Sequence, residues 1–256
     1  MAWHRLYEKI KPYIVRIETP SGFGTGFLFA FNESKSIAAI ATALHVIEDV
    51  NDWRQPIRIT QHGTGKQVFL EYTDRAVRLD YKRDSAAIAL AAAALDFPDK
   101  ALPLLPADKV KKVGVQIGWV GFPVLSPNSL CFFQGGVSAY LQDDDCYLID
   151  GVAIHGVSGG PVFAEMNDAS PQIVGIVSTY LANRQRGDTL PGLLKAYDLT
   201  HLHDAIASIK SLDDARKKAE EQARQEQRPR QEAQEAGAGE ASSSAGPQPT
   251  PATRRG

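Results

Sequence analysis

Short runs of β-branched and aromatic residues, each ended by a turn signal, recur along most of this chain and restrict it to an all-β fold. One set covers residues 13–19, 24–31, 36–43, 57–60, 66–72 and 86–91. Pro20-Ser21-Gly22, Asn32-Glu33-Ser34 and Gly63-Thr64-Gly65 punctuate it. A second set covers 113–121, 130–141, 146–151, 161–164, 172–180 and 193–199. Between them, residues 92–112 are rich in Ala, Pro and Lys and read as a crossing linker. Six short antiparallel strands with tight turns close into a small barrel. Two such sets predict two packed six-stranded antiparallel β-barrels with a cleft between them.

The flanks have a different period. Trp3, Leu6, Tyr7 and Ile10 form a short amphipathic pattern ahead of the first strand. Past Asp198, Leu199, Leu202, Ala205, Ile206 and Ile209 fall on one helical stripe. Residues 1–210 therefore read as one domain: N-terminal barrel about 12–91, linker 92–112, C-terminal barrel about 113–199, helix 199–210. Residues 211–256 hold eight basic and eight acidic residues and few large apolar ones. They read as a charged helix passing into a disordered tail. A neutral polyampholyte is a poor nucleic-acid arm but could dock a partner protein.

The whole chain carries a net charge of −2, so nothing drives it toward nucleic acid or an anionic membrane surface. Cys131 and Cys146 are too few for a disulfide framework and lack CxxC spacing, so free thiols and no zinc site are expected. His201 and His203, two apart at a helix start, cannot share one metal and read as surface groups. No phosphate-cradling glycine loop is present, and no cofactor is expected. The N-terminus lacks a basic stretch followed by an apolar run, and no segment reads as a membrane span; a cytoplasmic protein is expected.

One stretch carries chemistry. In Gly156-Val157-Ser158-Gly159-Gly160-Pro161 the serine can sit on a tight turn, its hydroxyl exposed among converging backbone N–H groups. That suits a nucleophile facing an oxyanion hole, and equally an ordinary glycine-rich turn. A nucleophilic serine needs a histidine and a carboxylate. His45 lies where an apolar strand gives way to a helical turn; a core histidine satisfied by backbone fits that position as well. Asp84 directly precedes the apolar run 85–91, at a strand mouth. Asp80 is its rival, and a surface turn aspartate is the plain alternative for either.

Taken in order, TALHVI, RDSAAIAL and GVSGGPVF resemble the trypsin-like serine peptidases, in the order His, Asp, Ser. The chain is similar to the compact bacterial members, including the protease domain of the high-temperature-requirement proteases. Gly24-Thr25-Gly26-Phe27 resembles their early GSGF strand. Gly121-Phe122-Pro123, Gly136-Val137-Ser138-Ala139 and Gly175-Ile176-Val177-Ser178 fall where the family has its GxP loop, GxVSA strand and GIVS strand. The resemblance covers about residues 12–210. It implies a serine endopeptidase acting on protein or peptide substrates through an acyl-enzyme. Ser158 would be the nucleophile, His45 the general base and Asp84 its orienting carboxylate. Gly156 and Ser158 would supply the oxyanion N–H groups, and Ser178 would support Asp84.

The departures matter too. Val157 stands where the secreted digestive enzymes have an aspartate that pairs with a new N-terminus, so activation by N-terminal cleavage is not expected. Val152, Ala153, His155 and Tyr180 would line the primary pocket and, with no acid among them, make it small or apolar. For His155 an incidental place beside the cleft is the plain alternative. The rival reading is a catalytically silent scaffold that binds extended peptides by strand addition.

Overall fold

Apolar runs buried on both faces set the central strands, and their pairing sets the site. The computed structural model describes residues 2–167, 169–185 and 188–241. The first element is helix α1 (Trp3–Ile10), which buries Leu6 and Ile10. A 3-10 turn holding Pro12 leads into β1 (Ile14–Thr19), β2 (Gly22–Phe31) and β3 (Ile37–Ala43). Helix α2 (Leu44–Asp52) follows β3 without a break. Then come β4 (Ile57–Gln61), β5 (Gln67–Leu70), β6 (Ala76–Asp80) and β7 (Ser85–Ala91).

These seven strands form one antiparallel sheet in the order β5-β4-β1-β2-β3-β7-β6. The sequence pattern counted six and missed β6. Besides the exposed Ala76, that strand carries only Val77 and Leu79 as apolar residues, both half-buried, so its signal is one-sided and weak. The core under this sheet gathers Val15, Ile17, Ile40, Ile47, Ile57, Ile59 and Ile88, all at most 2% exposed.

The expected linker holds one 3-10 turn (Ala92–Ala94) and otherwise runs irregularly. It is pinned where Leu105 N–H donates to Ile173 O (2.7 Å) and Ile173 N–H to Pro103 O (2.9 Å). Six further strands follow: β8 (Gln116–Gly121), β9 (Cys131–Leu141), β10 (Cys146–Asp150), β11 (Pro161–Glu165), β12 (Pro171–Gln185) and β13 (Asp188–Tyr197). They close into a barrel in the order β10-β13-β12-β11-β8-β9, as the second set of runs predicts. Trp119 and Tyr147, both fully buried, fill its interior, while Phe163, also fully buried, lies on the opposite face against Trp3. Burying an aromatic of that size stabilises by roughly 2–3 kcal/mol. Helix α1 lies against this barrel, with Trp3 5.5 Å from the Phe132 ring and Tyr7 Oη donating to Leu130 O.

The chain divides into two units, Met1–Lys210 and Ser211–Gly256. Helix α3 (Thr200–Ala241) buries Leu202 and Ala205 in its first turns. In the second unit the helical sequence is rich in Ala, Glu, Gln and Arg, all good helix formers, and Arg216 pairs with Glu220 one turn on (2.7 Å). The rest of the expected tail, 242–256, lies outside the described residues. Cys131 and Cys146 are both free thiols. His201, expected at the surface, is 2% exposed: its Nδ1 lies 2.8 Å from Ser85 Oγ, docking α3 on the start of β7. No helix among the described residues is long and apolar enough to cross a membrane.

Candidate active site

Strand register brings His45 and Asp84 together. β3 and β7 are neighbours, paired from Ile37↔Ala91 to Ala43↔Ser85. The residues just past Ala43 therefore meet the residue just before Ser85. Leu44 N–H donates to Asp84 O (3.0 Å) and His45 N–H to Asp84 Oδ1 (3.0 Å). The imidazole follows: His45 Nδ1 lies 2.8 Å from Asp84 Oδ2 and 3.0 Å from Oδ1. An ionised carboxylate only accepts, so Nδ1 carries the proton and Nε2 keeps its lone pair, facing away from Asp84. Ser178, on β12, donates from Oγ to Asp84 Oδ2 at 2.5 Å.

These contacts set the charges. The Asp84 hydrogen bond raises the His45 pKa above 6.5 against the opposing effect of burial. Burial would raise Asp84, but hydrogen bonds from His45 and Ser178 outweigh it and hold its carboxyl below 3.8. Asp84 sits in the left-handed region at φ +41, which Asp adopts more readily than most side chains.

Ser158 reaches the same place from the closed barrel, on the loop between β10 and β11. Thr25, fully buried on β2, holds that loop. Its N–H donates to Ser158 O (2.9 Å), its Oγ1 donates to Gly156 O (2.8 Å) and accepts from Phe122 N–H (3.0 Å). Thr42 Oγ1 donates to Thr25 O (2.7 Å). Gly159 must be glycine: its φ is +86, and a Cβ there would fall 2.1 Å from Thr25 O.

The turn 154–157 closes by Val157 N–H to Ile154 O (3.1 Å), with Gly156 at φ +91. His155 O accepts from Val124 N–H at 2.7 Å. In a trans peptide the N–H opposes the C=O, so the Gly156 N–H points away from Val124. Among the described contacts, neither the Gly156 nor the Ser158 N–H has a protein acceptor. The Ser158 hydroxyl donates to Ser178 O (2.9 Å) and makes no hydrogen bond to His45.

A cleft of about 320 Å³ opens over these groups, lined by Phe23, His45, Val46, Val124, His155 and Ser158 among others. Gly156 also lines it, while Val152, Ala153 and Tyr180 do not. Val152 is 57% exposed, Ala153 packs against the core, and the Tyr180 hydroxyl accepts from Gly192 N–H.

The sequence pattern passed over an ionic clasp behind Asp84. Asp80, read only as a rival, accepts from Arg83 N–H (3.1 Å) and Nη1 (2.9 Å). Arg83 Nη2 reaches Asp145 Oδ2 on the β9–β10 turn (2.7 Å), and Lys82 Nζ meets the same oxygen (2.8 Å). Asp198 Oδ1 lies 3.9 Å from Arg83 Nε. The turn that carries Asp84 is thus tied to the opposite barrel. Only its acidic and basic composition hinted at this in the sequence.

Likeness to known proteins fits the same span. The family model for the trypsin-like peptidase domain matches residues 24–176, more than half the chain, from β2 into β12. No curated protein sequence matches the chain. Among solved structures it is similar to a serine endoprotease from Yersinia pestis (16% identity, TM-score 0.59, covering 82% of this chain and 66% of that one). It is also similar to Deg5 (17%, 0.57, covering 78% and 90%) and to the inactive serine-to-alanine form of Rv3671c from M. tuberculosis H37Rv (18%, 0.53, covering 80% and 89%). At these identities the structural likeness concerns the fold: a closed barrel and a curled sheet meeting at a cleft. With the family match spanning the strands that bring residues 45, 84 and 158 together, the chain belongs to the trypsin-like peptidase domain family.

Proposed function

We propose that this protein is a serine endopeptidase in which Ser158, His45 and Asp84 act as one unit. The observation that carries the reading is the His45–Asp84 pair. Asp84 accepts from both the backbone N–H and Nδ1 of His45, which fixes the tautomer a general base needs. Ser158 Oγ attacks the scissile carbonyl while His45 Nε2 takes its proton. The unpaired N–H groups of Gly156 and Ser158 receive the developing oxyanion; losing one such donor costs on the order of 3 kcal/mol. His45 returns the proton to the leaving amine, and water then repeats the sequence on the acyl-enzyme.

To react, Ser158 must turn its hydroxyl from Ser178 O toward His45, which lines the same cleft. Catalytic hydrogen bonds are often incomplete until substrate is bound. The same observation favours a second reading, a silent scaffold that binds peptides without cleaving them. A fluorophosphonate probe separates the two. Labelling of the wild type, lost in Ser158→Ala and in His45→Ala, supports the peptidase; an unlabelled but folded wild type supports the scaffold. A primary preference for small or apolar side chains is supported by Val152 and Ala153, which stand where a basic-specific relative would carry an acid. A cleavage profile dominated by Arg or Lys would overturn that preference. We assign the segment from Ser211 to docking of a partner protein; capture of that partner by a variant lacking residues 211–256 would count against it.

A further inference from the structure

The cleft over Ser158 does not end at Phe23. A groove of about 500 Å³ shares Thr19, Ser21, Gly22 and Phe23 with it and continues across β1, β4 and β5. Its chemistry resides in Arg16, Glu18, Phe23, Pro56, Arg58 and Phe69. The Arg58 guanidinium lies 5.7 Å from the Phe69 ring centre and Arg16 lies 4.6 Å from that of Phe23. One carboxylate serves both cations: Glu18 takes a two-pronged contact from Arg58 (2.6 and 2.7 Å) and a longer one from Arg16 (3.2 Å). Two guanidiniums against one carboxylate leave the groove one positive charge in excess. Phe69 is 65% exposed, an aromatic face held open beside that charge.

We infer that this groove is a substrate subsite for an extended peptide segment that carries a large apolar side chain next to an acidic one. The apolar group would lie against Phe69 and Pro56, and the carboxylate would meet Arg58 and Arg16. Two features of the groove fix that occupant: it continues directly from the cleft that holds Ser158, and its charge complements an acidic chain and repels a basic one. The assignment rests on the endopeptidase reading, because it treats the occupant as the part of a substrate that runs on from the scissile bond.

Binding to full-length Ser158→Ala tests the subsite apart from the chemistry. The probes are fluorescent peptides with one common core, extended by Phe-Glu, Phe-Lys or Gly-Gly, followed by polarisation. The Phe-Glu peptide binds about fivefold to tenfold more tightly than the other two, and added salt narrows the gap. Arg58→Glu placed in the Ser158→Ala background reverses the order of Phe-Glu and Phe-Lys. Phe69→Ser in that background, which removes an exposed ring and no hydrogen bond, weakens both Phe peptides toward Gly-Gly. Equal binding of all three peptides, or an order unmoved by both substitutions, overturns the subsite. Failure of the wild type to react with the fluorophosphonate overturns the peptidase reading instead, so the two failures are distinguishable.

Discussion

The carboxylate of Asp84 receives His45 from one side and Ser178 from the other, at 2.8 and 2.5 Å on the same oxygen. The first contact stays within the N-terminal sheet, whereas the second comes from β12 of the barrel. The aspartate is thus the point at which both halves of the molecule act on one imidazole.

A pH profile follows from that arrangement. The Asp84 hydrogen bond raises His45 above 6.5, and a general base works only when unprotonated. The acid limb of kcat/KM should therefore lie above pH 6.5, with activity rising as pH increases through it. Asp84→Asn keeps the shape but cannot hold the tautomer, and kcat should fall by about 10⁴. Peptide hydrolysis from pH 5 to 9 checks both.

Thr25 binds the Ser158 loop through its hydroxyl, which makes Thr25→Val a clean probe. The isosteric methyl removes the partner of Gly156 O and of Phe122 N–H, both buried. Stability should drop by about 1–3 kcal/mol, and fluorophosphonate labelling should slow. Urea unfolding alongside labelling rates measures the two effects. Unchanged labelling would mean that the loop holds its shape without this residue.

Arg83 gives a different split. Arg83→Met leaves Asp80 and Asp145 without their shared cation, in a site between exposed and buried, so a loss on the order of 2 kcal/mol is expected. The turn bearing Asp84 should loosen as well, lowering kcat more than it raises KM. Arg83→Lys should recover part of the stability and little of the kcat, since lysine cannot bridge two carboxylates in a fixed fork. Thermal unfolding and steady-state kinetics on the same preparations test this.

His201 makes stability depend on pH. Burial holds its pKa below 6.5, against Asp80 and Asp204, which favour the charged ring, while Arg78 and Arg83 disfavour it. The unfolded chain therefore binds this proton more readily, and the native state loses stability as pH falls below about 6.5. His201→Gln should flatten that part of the curve. Urea midpoints at pH 7.5 and 5.5, compared between wild type and variant, isolate the contribution.

Much of this was legible in the residues. Two sets of β-runs gave the architecture, and three short motifs in order singled out His45, Asp84 and Ser158. What escaped was one-sided or three-dimensional. β6 was missed because only Val77 and Leu79 mark it. His201 read as a surface group because its partner, Ser85, is 116 positions away. Asp145 and Asp198 look like ordinary turn acids until the fold sets Arg83 between them. Of the residues expected to form the primary pocket, His155 lines the cleft while Val152, Ala153 and Tyr180 do not, because position in a motif does not say whether a side chain faces a cleft. Thr25, by contrast, sits inside a recognisable motif, but nothing in that motif reveals that its hydroxyl grips the far barrel.

The backbone at Asp84 has a consequence for engineering. A residue with a side chain held at φ +41 carries conformational strain that glycine would not. Asp84→Gly would relax that bend but would delete the carboxylate that accepts from His45 and Ser178, so the backbone gain is set against those lost hydrogen bonds. The same bend recurs at Lys35, Arg54, Asp145 and Ala169, where glycine would relieve it without removing the partner of His45.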